Sequence, residues 1–191
     1  LTEVCGEGAG GGAQETGLTA DQIHLGTVTD KGSAERPGLT QEMYDAVHER
    51  AGDAAIFIGV AAVADYRPAS VAEQKIKKST ERLTIELVRN PDILASVAAL
   101  KPAPFTVGFA AETEHLETAA RAKLAAKGVD LIAANLVGGS EGGFGVDENR
   151  LLLVDHDGIT ELPLAPKTQL ARALIQHIAK KYQQDEQRRV S

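Results

Sequence analysis

Apolar residues along this chain fall into two rhythms. Near-continuous runs of strand length recur at Ala55 to Ala64, at Phe105 to Phe109 and in the stretch DLIAANLV from Asp130 to Val137. Such runs belong to strands buried on both faces of a sheet. Between them, apolar positions return at helical spacing. Met43, Ala46 and Val47 share a face of a helix that Thr40 caps and Gly52 closes. Leu116, Ala119, Ala120 and Leu124 share one on a helix from His115 to Lys127, ended by Gly128. RLTIELV alternates over Leu83, Ile85 and Leu87, the pattern of a half-exposed strand. LLLVDHDGITELPL predicts a hairpin turning at Asp157-Gly158, and Leu170, Leu174 and Ile178 predict a closing amphipathic helix from Lys167 to Tyr182. Strands and helices in this alternation predict an α/β fold.

Asn90-Pro91-Asp92-Ile93 reads as a helix start, with Asn90 as cap, Pro91 at the first helical position and the helix over Ile93 to Leu100. Free N–H groups at such a start favour an anion, which the Asp92 carboxylate would oppose.

Candidate chemistry concentrates in Ile56 to Lys78, where a buried strand runs into charge. Ligands of open α/β sheets lie beyond the carboxyl ends of the strands, and Asp65 stands where this strand emerges. Gly59, Ala61, Ala62 and Ala64 carry little side chain, so a ligand can approach the backbone there. Lys75 and Lys77 share one face of an extended segment and Lys78 takes the other, an arrangement that suits phosphate or a solvated strand edge. Lys123 and Lys127 lie one helical turn apart and repel by a few tenths of a kcal/mol, about the amount a bound polyanion reverses. Lys127 also suits the helix dipole as a last-turn cation. Phe109 fits either a base or the core, and Glu112 either a ligand or a helix start. Asn135 lies near the exit of a third core strand, and the loop GGSEGGFG, anchored by Phe144, offers backbone N–H groups to a phosphate or is simply a loose connection.

Composition narrows the class. A chain of 191 residues suits one main domain, and 43% apolar content without tryptophan suits an Ala/Val/Leu-rich α/β core. A net charge of −7 argues against a general nucleic-acid surface. The single cysteine, Cys5, excludes an intrachain disulfide, and the five scattered histidines show no metal-ligand spacing, so a protein-held metal is not expected. No apolar stretch has the length of a membrane span, and a cytoplasmic enzyme or binding protein is the simplest expectation. Residues 1–40 read as a flexible Gly-rich segment, in which Gly6, Gly8 and Gly11 match G-x-G-x-x-G without the strand and helix that give the pattern meaning. Residues 183–191 read as a disordered tail.

The ordered series AAVADYRP, KIKK, NPDI, GFAAET and AAN resembles the phosphopantothenate-cysteine ligase family over residues 41–182. In bacteria that ligase is usually the carboxyl-terminal half of a bifunctional coenzyme A biosynthesis protein whose other half is a flavin-dependent decarboxylase. The resemblance implies a Rossmann-like three-layer fold with a mostly parallel central sheet plus a β flap or hairpin, and a homodimer through that flap. It implies CTP as co-substrate with Mg²⁺, and 4′-phosphopantothenate and L-cysteine as substrates. Lys75 is then the catalytic candidate, with the nucleotide held by Gly59, Val60, Ala61, Asp65, Lys75, Pro91, Asp92, Ile93, Leu94, Phe109, Lys123 and Lys127, and the acyl substrate by Asn135 and Phe144. One departure stands out. The family's opening βαβ unit, with its glycine turn and Ser-Asn-x-Ser-Ser-Gly segment, is missing or replaced in residues 1–40. An inactive nucleotide-binding remnant, and an NAD-linked dehydrogenase of the same layer pattern, are the alternatives.

Overall fold

Strands apolar on both faces require cover on both sides, and the folded chain supplies it. The computed structural model describes residues 39–70, 81–82, 84–137 and 147–190. In chain order the elements are α1 (Leu39–Ala51), β1 (Ile56–Gly59), β2 (Tyr66–Pro68), β3 (Leu87–Arg89) and α2 (Ile93–Ala98). They continue with β4 (Phe105–Glu112), α3 (Leu116–Lys127), β5 (Leu131–Leu136), β6 (Glu148–Asp155), β7 (Ile159–Pro166) and α4 (Lys167–Val190). The main sheet has the order β1-β4-β5-β6-β7. β1, β4 and β5 are parallel neighbours and β6 is antiparallel to both of its own, so four of the five strands run one way. β2 and β3 form a separate antiparallel ribbon.

Alternation along the strands sorts the core into layers. Phe105 and Val107 of β4, Leu131 and Ala133 of β5, and Leu151 and Leu153 of β6 meet Leu170, Leu174 and Ile178 of α4. Their neighbours in sequence point the other way, where Ala110, Ile132, Ala134 and Val154 meet Ala120 and Leu124 of α3. Met43 and Ala51 of α1 pack with Ile93 and Val97 of α2 in a third cluster that takes in Phe57 of β1. Leu131, Ile132, Leu153 and Ile178 are fully buried, each worth about 1.5–3 kcal/mol against exposure. These are the three layers and mostly parallel sheet that the family resemblance implies, with the β2–β3 ribbon beside them.

Several boundaries differ from expectation. β1 ends at Gly59, not Ala64, and the next six residues form the path to β2; Val60, Ala61 and Ala62 are exposed there. The strand expected through RLTIELV is only Leu87–Arg89, because its partner β2 offers three residues for pairing. Ile85 lies outside it and is 60% exposed, while Leu83 lies outside the described residues. α1 begins at Leu39, so the expected cap Thr40 is already helical. α2 stops at Ala98, two residues short of Leu100. Residues 183–190 continue α4 as helix, where a disordered tail was expected. Lys181 and Arg188 reach the hairpin residue Asp157 from that helix, and such pairs give its last turns tertiary partners. Residues 1–38, where the family's opening unit is expected to be missing or replaced, lie outside the described residues.

Candidate functional site

The parallel strands β4 and β5 end level, Glu112 beside Leu136, while β1 stops earlier at Gly59 opposite Gly108, and the candidate residues gather around that stepped edge. The register fixes the arrangement: Gly59 pairs with Gly108, and Ala111 with Asn135. Side chains on the α2–α3 side of the edge form one group. Glu112, the last residue of β4, accepts from Lys123 Nζ at 3.3 Å. The chain then bends through His115, held at φ 52°, an uncommon conformation for a residue with a side chain. That bend turns α3 back along β4, which brings Lys123 to Glu112. One turn further along α3, Lys127 is ion-paired with Asp92 at the start of α2.

Asp92 is also the cap of α2, accepting from Ala95 N at 3.1 Å. Sequence reasoning gave that place to Asn90, two residues earlier. Asn90 is spent on the Ala64 carbonyl and the Arg67 guanidinium, and Asp92 has the same short acceptor chemistry. Partial burial of Asp92 acts to raise its pKa, but the Lys127 ammonium and the Ala95 N–H outweigh it and hold the carboxyl below its ordinary value. An anion at this helix start would therefore meet a carboxylate already seated there.

Leu94 explains two of the glycines. A Cβ on Gly59 would stand 3.3 Å from Leu94 Cδ1, and one on Gly108 only 2.6 Å from Leu94 Cδ2. Glycine at these positions lets α2 lie close on the sheet. The side of Gly59 on which a Cβ would stand is thus occupied by Leu94 Cδ1. Ile93 is buried in the cluster with Met43 and Val97, so its side chain serves the core. Pro91 is half-buried between Asn90 and Asp92.

Phe109 and Asn135 belong to the opposite side of the edge. Phe109 packs on the α4-side core with Ile56 and Ile58, so the structure does not bring it beside Lys123 and Lys127. Asn135 is half-buried, and its Nδ2 donates only a long bond of 3.3 Å to the carbonyl of Leu136. Asp65 is exposed, at the start of the β2–β3 ribbon, with its backbone carbonyl accepting from Asn90 N at 2.8 Å. Lys75 and Phe144 lie outside the described residues. Among the described residues, no three His, Cys, Asp or Glu side chains stand close enough to hold a metal ion.

Two features escaped the sequence. One is the partnership of both lysines with acids from other elements, and the other is a charged cluster at the opposite end of the sheet. There Asp155 accepts from Lys181 Nζ at 2.8 Å and from the N–H groups of Asp157 and Gly158, and His177 Nε2 lies 3.6 Å away, beyond hydrogen-bonding reach. Burial opposes the charge on Asp155, yet Lys181 and the two N–H groups keep its pKa below the ordinary value. Burial pushes His177 down further than Asp155 raises it. This cluster joins α4 to the β6–β7 hairpin and takes no part in the edge site.

As a class, the geometry defines an open-sheet α/β protein with paired charges near the exits of its parallel strands, the end at which ligands of open α/β sheets lie. The family described as the DNA/pantothenate metabolism flavoprotein C-terminal domain matches residues 34–182. The coenzyme A biosynthesis bifunctional protein CoaBC of Vibrio cholerae is 50% identical over 162 residues, covering 83% of this chain and 40% of that protein. That of Escherichia coli K12 is 48% identical over 151 residues, covering 77% and 37%. Among solved structures, the C-terminal domain of CoaBC superposes with a TM-score of 0.59 at 32% identity, covering 75% of this chain and 63% of that one. A DNA/pantothenate metabolism flavoprotein from Streptococcus pneumoniae, at 22% identity and a TM-score of 0.58, shares the fold. The chain belongs to the DNA/pantothenate metabolism flavoprotein C-terminal domain family, in accord with its phosphopantothenate-cysteine ligase motifs. It spans about two fifths of the length of the CoaBC proteins it matches, 40% for that of Vibrio cholerae.

Proposed function

We propose that this chain serves coenzyme A biosynthesis as the CTP-using ligase that joins 4′-phosphopantothenate to L-cysteine. A carboxylate resists attack by an amine because its leaving group would be oxide. Transfer of CMP from CTP onto the carboxylate forms a mixed anhydride and releases pyrophosphate. The cysteine amine then attacks the acyl carbon, forming the amide and expelling CMP. Catalysis here consists mainly of holding two polyanions in line and offsetting their charge.

The observation that carries this reading is the pair Lys123 and Lys127, one turn apart on α3 and reaching Glu112 at the end of β4 and Asp92 at the start of α2, inside a matched family domain. In it, the lysines take the triphosphate, Asp65 the cytidine portion, and Lys75 the reacting phosphoryl group. Phe109 and Asn135, on the other side of the same edge, face a different part of the ligands from the lysines. Mg²⁺ would accompany the nucleotide and offset its phosphate charge; Asp92 and Glu112 are already engaged with lysines. The exposed Tyr66, Ile85 and Leu87 on and beside the β2–β3 ribbon suit a homodimer contact. A flavin-dependent decarboxylase domain, as the bifunctional relatives suggest, is the expected fused companion. No helix among the described residues is long and apolar enough to cross a membrane.

The test is pyrophosphate release from CTP and Mg²⁺ with 4′-phosphopantothenate, with and without cysteine. Release that requires phosphopantothenate, and sustained turnover only with cysteine, is the expected result. CTP binding without any release would instead establish a nucleotide-binding remnant, and absence of CTP binding would refute the reading altogether.

A further inference from the structure

One buried polar side chain ties the exit of β1 to the start of α2. Asn90 is 7% exposed. Its Nδ2 donates to the carbonyl of Ala64 at 2.7 Å, and its backbone N–H donates to the carbonyl of Asp65 at 2.8 Å. Its Oδ1 accepts from the Arg67 guanidinium at 2.9 Å, and the same guanidinium nitrogen donates to the carbonyl of Arg89 at 3.2 Å. Both faces of the amide are therefore used, as a buried amide requires.

The chain connects this clamp directly to the charged side of the edge. Two residues after Asn90, with the constrained Pro91 between, Asp92 caps α2 and pairs with Lys127. The strand partner of Tyr66 is Arg89, so the β2–β3 ribbon also starts at this knot. A residue needed only to end β3 would have no reason to reach 26 positions back and hold Ala64. We propose that Asn90, braced by Arg67, is a positioning residue of the nucleotide site, fixing Asp65 against the Asp92–Lys127 side of the crevice. The identity of the ligand rests on the CTP reading above; the clamp itself does not.

The experiment uses Asn90→Ala, Asn90→Asp and Arg67→Met in the full chain. Asn90→Asp keeps the acceptor for Arg67 but sets a carboxylate oxygen against the Ala64 carbonyl at nearly constant volume, and Arg67→Met removes only the brace, so a folded variant is available even where the alanine is not. CTP affinity by calorimetry should weaken roughly tenfold in both Asn90 variants, the scale of one lost positioning hydrogen bond, and less in Arg67→Met. In the Asp65→Ala background Asn90→Ala should weaken it much less, because its effect runs through Asp65. Amide exchange at residues 64–67 should accelerate while that in β4 and β5 stays unchanged. Unchanged exchange at 64–67 overturns the clamp, and full additivity with Asp65→Ala overturns the positioning role in favour of a merely structural one. If the parent binds no CTP, the functional reading fails by itself, and exchange at 64–67 still decides whether Asn90 holds Asp65.

Discussion

Gly108→Ala tests how closely α2 must lie on the sheet for the edge site to exist. A Cβ at Gly108 would stand 2.6 Å from Leu94 Cδ2 and 2.9 Å from Ile132 Cδ1. Ordinary contact begins near 3.4 Å, so the two side chains together must yield most of an ångström. Ile132 is fully buried between β5's neighbours and has nowhere to go, which leaves Leu94 and the helix that carries it. Overpacking of this kind costs about 1–3 kcal/mol. For a domain of this size each kcal/mol lowers Tm by about 2–4 °C. The assay is thermal or urea unfolding of the parent, Gly108→Ala, Leu94→Ala and the double variant. Leu94→Ala alone leaves a cavity and costs about 2 kcal/mol, the low end of the buried range because Leu94 is only half-buried. In the double variant the new Cβ occupies space that Leu94 has left, so the two costs should fall short of additive by about 0.5–3 kcal/mol. Under the proposed CTP reading, affinity for the nucleotide should drop in Gly108→Ala, because α2 carries Asp92 and Leu94 with it. A Gly108→Ala protein as stable as the parent, or two strictly additive costs, would refute the close-packing account.

Lys181→Met strips Asp155 of its counter-ion while leaving the Asp157 and Gly158 N–H groups in place, and should cost about 2 kcal/mol by urea unfolding, below the cost of a wholly abandoned buried charge. In a series of unfolding curves against pH, stability should be fullest at neutral pH and fall in two stages on acidification. His177, whose folded pKa lies below 6.5, makes a contribution that is present above 6.5 and is lost as pH falls through the folded value; Asp92 and Asp155, held below 3.8, lose theirs as pH falls beneath 3.8. His177→Gln should remove the upper stage and leave the lower one, and a profile unchanged by that substitution would exclude His177 as its source.

The sheet was legible because it is built from local pattern. Phe105 to Phe109 and Leu131 to Leu136 are near-continuous apolar runs of the kind two-sided burial produces, and the Asp157-Gly158 turn has the chemistry its geometry needs, with Gly158 at positive φ. Gly128 likewise ends α3 in the left-handed conformation, its N–H donating to the Leu124 carbonyl. The boundaries that failed depend on partners distant in sequence. β1 has the composition to run on to Ala64, but Asn90 takes the Ala64 carbonyl and draws the chain out of the sheet toward the ribbon. α4 runs on past Tyr182 because Lys181 and Arg188 find Asp157 across the hairpin. Neither partnership leaves a mark in the local string.

The candidate site divides along the same line. Lys123 and Lys127 stand four apart on one helix, a spacing visible in any window of the sequence. Their acids are not: Glu112 lies 11 positions from Lys123, and Asp92 lies 35 from Lys127. The omission matters for function because it changes what a bound phosphate gains. Two bare lysines would offer an incoming polyanion their full attraction, whereas two lysines already facing carboxylates offer only the difference between the old partner and the new one. The resident acids hold the two side chains in place before any ligand arrives, so less side-chain freedom is lost on binding. Under the proposed CTP reading, the crevice gives up affinity for anions in general and favours a ligand that engages both lysines at once and supplies contacts at the Asp65 end as well. A triphosphate joined to a nucleoside meets that condition, and inorganic phosphate does not.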